Sequence, residues 1–206
     1  HGKESTGLGN VEFSDIEGDR LKEMIICFAT GWEQIPRGII AYDIWRKQRI
    51  WEYLCGCSPF IMKVSDVDND GKEEIILSCL GVHNKVTMNT TDDDHSYIIV
   101  LDQEGKEIWK VTLGSYYTTI FFDIFDVDKD GELEIITAKS CHREVDIEPG
   151  EIRIIDAVTG NSEKYISEKD TYFTGICLTE EARESFPYII VTDSKGRVSK
   201  YDKDLN

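Results

Sequence analysis

Two stretches of the chain place aspartates at alternate positions, then a glycine, then a glutamate at the head of an apolar run. They are DVDNDGKEEIIL from Asp66 to Leu77 and DVDKDGELEIIT from Asp126 to Thr137. Oxygens at positions one, three and five of a tight loop can wrap a hard cation, and glycine at position six permits the sharp turn that returns the later ligands. Calcium takes about six to eight oxygens at about 2.3–2.6 Å. Carboxylates crowded this closely repel one another unless an ion or solvent intervenes. The plainer alternative is a set of solvated Asx-type turns. An EF-hand places its bidentate glutamate at position twelve, between helices. Here the glutamate stands at nine, as Glu74 and Glu134, directly before a strand-like run.

The motif belongs to a repeat. SDIEGDRLKEMII from Ser14 to Ile26 keeps the same order of residue types, with first aspartates at Asp15, Asp66 and Asp126, 51 and 60 residues apart. That period is close to one four-stranded propeller blade. A fourth copy is expected near residue 180, where CLTEEARESFPYIIV keeps the apolar run but has lost the aspartates. Each unit also carries a strand before the acidic loop (VEFSDI, FIMKVSDV, TIFFDIFDV, FTGICLT) and a hairpin after it. The hairpin turns hold Gly or Asn where positive φ is easiest, as at Gly105 and Gly160-Asn161. No stretch shows sustained 3.6-residue periodicity, which argues against helix-bearing repeats.

The expected fold is therefore all-β: a β-propeller of about four four-stranded blade-like repeats, approximately 7–57, 58–115, 116–170 and 171–206, in one domain of residues 1–206. The last repeat ends near Asp202 without a fourth strand, and HGKESTGLGN is too polar and glycine-rich to supply one. An open edge invites pairing. Three closures stay open: an imperfect ring, a fragment of a larger propeller, or self-association through the open blade edge.

The D-x-D-x-D-G-x-x-[DE] pattern, repeated at this spacing, resembles the FG-GAP and VCBS repeats, the blades of integrin α-subunit propellers and of many secreted bacterial propellers. The resemblance implies Ca2+ held by positions one, three, five and nine and by the main-chain carbonyl of position seven. It carries over to Asp66, Asp68, Asp70 and Glu74 with the carbonyl of Lys72, and to Asp126, Asp128, Asp130 and Glu134 with that of Glu132. A third site would use Asp15, Glu17, Asp19 and Glu23 with the carbonyl of Leu21, but Arg20 stands where glycine belongs and Glu17 where aspartate is usual. Two calcium sites are expected, with the third in doubt.

The chain of 206 residues carries 40 acidic against 23 basic side chains, a formal charge of -17. Such a surface repels nucleic acid and anionic lipid. No apolar run approaches the roughly 18 residues that span a bilayer, so no direct membrane insertion is expected. Because the sequence begins at His1, it reads as the mature end of a processed protein or as a piece of a longer one.

Six cysteines show neither CxxC nor CxxCH spacing. Cys27 reads as a buried free thiol, whereas Cys55, Cys57, Cys79 and Cys141 leave one or two disulfides open. Asn89-Thr90-Thr91 matches the glycosylation sequon.

Segments 30–38, 80–96 and 140–151 insert at one equivalent place in their repeats, which puts them on one expected face. They hold His83, His95 and His142 with Asp92, Asp93, Asp94 and Glu144, a candidate metal or acid/base cluster, and Trp32, a candidate sugar or protein contact beside Gln34 and Arg37. Trp51 and Trp109 occupy matching positions and read as packing residues. No nucleophile elbow, phosphate loop or HExxH motif occurs, so no catalytic residue is named.

The expected function is a calcium-binding module acting in binding or as scaffold in an extracellular, periplasmic or cell-surface setting, with a protein or carbohydrate ligand on the insertion-loop face. The alternatives are a catalytic propeller of polysaccharide lyase or hydrolase type, and the sensor domain of a larger membrane receptor.

Overall fold

In the computed structural model, described over residues 6–30, 35–141, 148–179 and 187–206, every regular element is a β-strand. The first sheet takes its strands in chain order: β1 (Thr6–Ser14), β2 (Glu23–Thr30), β3 (Arg37–Asp43) and β4 (Gln48–Leu54). The next elements are β5 (Ser58–Ser65), β6 (Glu74–Leu80), the short hairpin β7 (Thr87–Met88) with β8 (Thr91–Asp92), β9 (His95–Leu101) and β10 (Glu107–Ser115). Of these, β5, β6, β9 and β10 form a second sheet in that order. A third sheet runs β11 (Thr118–Phe125), β12 (Glu134–Cys141), β13 (Gly150–Asp156) and β14 (Ser162–Glu168). A three-stranded sheet of β15 (Phe173–Thr179), β16 (Tyr188–Asp193) and β17 (Val198–Tyr201) follows. Successive antiparallel four-stranded sheets of this kind are the blade unit of propeller-like folds. None of the described residues forms a helix long and apolar enough to cross a membrane.

The chain divides into two compact units, His1–Thr118 and Thr119–Asn206. Each has its own core. In the first, Ile25, Ile39, Ile75, Leu77 and Ile99 pack together; in the second, Ile136, Ile152, Ile154, Phe173 and Ile189 do so.

Position in the sheet explains the sequence pattern. Every residue of β12, and all of β6 except Leu80, is buried; both strands open on an apolar run after their glutamate, and β12 goes on to bury Thr137, Lys139 and Ser140 as well. The outer strands β4 and β14 keep a half-exposed face and carry Arg49, Glu52, Glu163 and Lys164.

One boundary departs from expectation. β1 begins at Thr6, ahead of Val11 where the first strand was expected to open, and it pairs within the first sheet. As a sheet edge it needs only backbone pairing, and a register shift between Leu8 and Val11 absorbs the irregularity.

Two of the hairpin turns share a device. Asp102 accepts from the amides of Glu104 and Lys106, and Asp193 does the same for Lys195 and Arg197. Gly105 and Gly196 then take positive φ, 76° and 75°. A Cβ on Gly105 would lie 2.7 Å from the Trp51 ring, whose Nε1 donates to the Gln103 carbonyl at 2.9 Å. Trp51 is thus a packing residue, clamped beneath the turn of the next sheet. All six cysteines are free thiols, and of these only Cys177 is exposed.

Candidate functional site

The three acidic loops connect the first and second strands of their sheets and share one hydrogen-bond scheme. In the second loop Asp66 accepts from the amides of Asp70 at 3.1 Å and Gly71 at 3.0 Å, while Asp70 accepts from Lys72 at 2.8 Å. Glu74 reaches back from the head of β6 to the Val67 amide at 3.0 Å. The third loop repeats this through Asp126, which accepts from Asp130 and Gly131, through Asp130, which accepts from Glu132, and through Glu134, which accepts from Val127 at 2.8 Å. The first loop does so through Asp15, Asp19 and Glu23, which accept from Asp19 and Arg20, Leu21, and Ile16.

Backbone dihedrals match as well. Positions four and six are left-handed in all three loops: Gly18 and Arg20, Asn69 and Gly71, Lys129 and Gly131. Arg20 therefore adopts the conformation expected of glycine, at φ 71°. The first loop has its glycine at four instead of six.

Carboxylate oxygens converge in two of the loops. Asp66, Asp68 and Asp70 bring ligand atoms within 4.8 Å of one another, as do Asp126, Asp128 and Glu134. The Asp128 Oδ1 atom is buried with no hydrogen-bond partner. A desolvated carboxylate oxygen in that state is costly, and a cation beside it removes the cost. The donor set is all oxygen, which suits a hard ion.

The electrostatics agree. Burial, followed by repulsion from Glu163, Asp128 and Asp130, pushes Glu134 up to about 7 against the hydrogen bond from Val127. Glu74 and Glu23 are also raised, again with burial as the leading cause. Glu163, on β14, is itself raised by burial and then by Asp156 and Asp128, so it adds a carboxylate to the third loop that the motif did not include. It comes from the following hairpin, and only strand pairing brings it near.

The first loop differs in what faces its carboxylates. Arg46, from the β3–β4 turn, binds Glu17 through Nη1 and Asp19 through Nη2, the latter at 3.3 Å. Asp43 holds the same guanidinium at 2.9 Å. A protein cation thus sits on positions three and five. An acidic groove lies between the first two loops, lined by Asp15, Glu17, Asp66, Glu73 and Glu104 with Lys72.

The three consecutive aspartates of the 80–96 segment have separate roles. Asp93 is buried, lies 3.5 Å from the equally buried Arg37, and accepts from the amides of Asn84 and Val86, both at 3.0 Å. Arg37, grouped in the sequence with Trp32 and Gln34 in the 30–38 segment, is a core residue that anchors the 80–96 segment. Asp94 pairs with His83 Nδ1 at 2.6 Å, and His83 stacks on Tyr116 with ring centroids 4.1 Å apart. Asp92 pairs with His95 Nδ1 at 2.8 Å. Burial would raise Asp92, but hydrogen bonds from the His95 side chain and the Asp94 amide outweigh it and hold the carboxyl below its usual value. Trp32, Gln34, His142 and Glu144 lie outside the described residues.

Comparison with known proteins adds the fold. No protein-family description matches the sequence, and no curated protein does. Solved structures do match. Rhamnogalacturonan lyase PL11 of Bacillus licheniformis superposes with a TM-score of 0.65 at 13% identity, over 98% of this chain and 42% of that one. Rhamnogalacturonan lyase YesW gives 0.60 at 15% identity, over 98% and 43%. The exotype rhamnogalacturonan lyase YesX gives 0.58 at 13%, over 93% and 40%. The chain shares their fold. It spans about two fifths of their length.

Proposed function

We propose that this chain is a calcium-binding segment of a β-propeller of FG-GAP/VCBS type, in which the ions are structural and the outer surface serves binding. Residues Asp66, Asp68, Asp70 and Glu74 with the Lys72 carbonyl would hold one ion, and Asp126, Asp128, Asp130 and Glu134 with the Glu132 carbonyl another. The observation that carries the reading is the shared wiring of the loops, coupled in the third to a buried Asp128 oxygen with no partner. A bound divalent ion supplies positive charge that cancels repulsion among these carboxylates. The residues themselves fix the geometry: the position-one aspartate orders the turn, and the position-nine glutamate ties the loop to its following strand. Arg46 fills the corresponding role in the first loop, so two ions per chain are assigned. A binding or scaffold role outside the cytoplasm suits an ion of this class and the acidic surface.

The test is metal content by mass spectrometry with thermal unfolding in calcium and in chelator. Two calcium ions per chain, with a melting temperature several degrees higher in calcium, would support the reading. No retained metal and superimposable melting curves would end it.

A second reading is catalysis on an acidic polysaccharide. It draws on the shared fold with three lyases and on the His83–Asp94 pair against Tyr116. Rhamnogalacturonan chain cleavage that is lost in His83→Ala would support it, and no cleavage at any calcium concentration would remove it.

A further inference from the structure

Cys55, Gly56 and Cys57 connect β4 to β5, and Cys79 lies in β6. Their three sulfurs lie within 4.8 Å of one another, the residues are at most 1% exposed, and all three are free thiols. The Cys27 and Met62 sulfurs, 3.8 Å apart, belong to the same core. Five sulfurs therefore share one apolar region of the first unit.

The Cys-Gly-Cys bend is held from several sides. The Gly56 amide donates to Thr91 Oγ1 at 2.8 Å, and its carbonyl accepts from Arg37 Nη1 at 2.8 Å. The Cys55 amide donates to the Arg37 carbonyl at 3.0 Å. A Cβ at position 56 would meet the Thr91 and Val86 carbonyl oxygens at 2.8 and 2.9 Å, so only glycine fits between the two cysteines. The bend is thereby fixed in place, with its two sulfurs near the third.

We propose that Cys55, Cys57 and Cys79 form a three-thiolate site for a soft d10 metal ion of the Cu(I) or Zn(II) class. Thiolate donors select such ions over calcium, which takes oxygen. A group made of sulfur alone suits three-coordinate Cu(I). Zinc is almost always four-coordinate in structural sites and would need one ligand more than the trio supplies. This site is independent of the acidic loops and uses opposite chemistry.

The test uses the full chain carrying Cys177→Ser, which removes the exposed thiol. The reduced, metal-stripped protein is loaded anaerobically with Cu(I) or, separately, with Zn(II), then desalted and analysed for metal. One equivalent of either ion per chain is expected, and the ion retained distinguishes the two classes. Changes to groups that only hydrogen-bond a metal's ligands cost about 10–100-fold in affinity, so removing a ligand sulfur in Cys57→Ser or Cys79→Ser should exceed that loss. Should these variants fail to fold, X-ray absorption of the loaded Cys177→Ser protein decides, with sulfur-only ligation expected. Failure to retain either ion, retention unchanged in both variants, oxygen or nitrogen ligation, or a disulfide within the trio in the untreated protein would each overturn the proposal. Calcium content plays no part in the readout, so the two metal readings fail separately.

Discussion

Arg46 lies 3.3 Å from Asp19, and its guanidinium also engages Glu17, so a side chain from the neighbouring turn meets the acidic loop where positions three and five converge. The two loops without such an arginine are those whose carboxylates cluster. Removing the charge should therefore expose a latent site. Arg46→Ala is expected to raise calcium content by one ion per chain and to lower stability in chelator. An unchanged ion count in Arg46→Ala would refute the exchange.

Asp68→Ala and Asp128→Ala should each lower the melting temperature in calcium and change it little in chelator. An ion at a hundred times its dissociation constant adds about 2.7 kcal/mol, which for a chain of this size corresponds to roughly 5–10 °C. In chelator Asp128→Ala should even stabilise slightly, because it removes a buried oxygen without a partner. Equal losses in both conditions would assign these aspartates a purely structural role.

Without metal, acid should stabilise the third loop. Glu134 is raised to about 7 from an ordinary value of 4.5, so the folded chain holds this proton more tightly than the unfolded chain does. Its contribution is full below about 4.5 and is lost as pH rises through about 7. Glu23 and Glu74 shift in the same direction. In chelator the melting temperature should fall between about pH 5 and about pH 7.5, and Glu134→Gln should flatten that slope. A melting temperature that climbs across this interval in chelator would contradict the burial and repulsion argument.

Arg37 and Asp93 form a buried ion pair that ties β3 to the 80–96 segment. Breaking it from one side leaves an uncompensated charge, at a cost of about 3–5 kcal/mol. Arg37→Met and Asp93→Asn should each destabilise on that scale, and the double variant should lose much less than the sum. Strict additivity would show that the two side chains act separately.

The sheets were legible because each repeat places its apolar run after a loop of fixed chemistry. Asp66 and Asp126 mark the loops, and the runs at Ile75 and Ile135 become fully buried central strands. The carboxylates that converge in the second and third loops, Asp66, Asp68 and Asp70, and Asp126, Asp128 and Glu134, all stand at positions the spacing had singled out. Three features could not be read from spacing. Arg46 and Glu163 reach their loops across strand pairings, which linear spacing does not encode. Asp92, Asp93 and Asp94 look alike in sequence, yet alternating direction and a buried arginine give them different partners. Cys55, Cys57 and Cys79 match no short metal motif, since Cys79 arrives from the neighbouring strand, where it pairs with Pro59.

The burial contrast within each sheet also sets a clock. Strands β6 and β12 are paired on both sides and shielded from water, so their amides exchange with solvent only when most of their unit opens. The half-exposed strands β4 and β14 can release their protons through local fraying. Deuterium uptake should consequently run inward from the sheet margins over minutes to hours. A ligand that acts on the outer strands would be registered there long before it reached the slow centre.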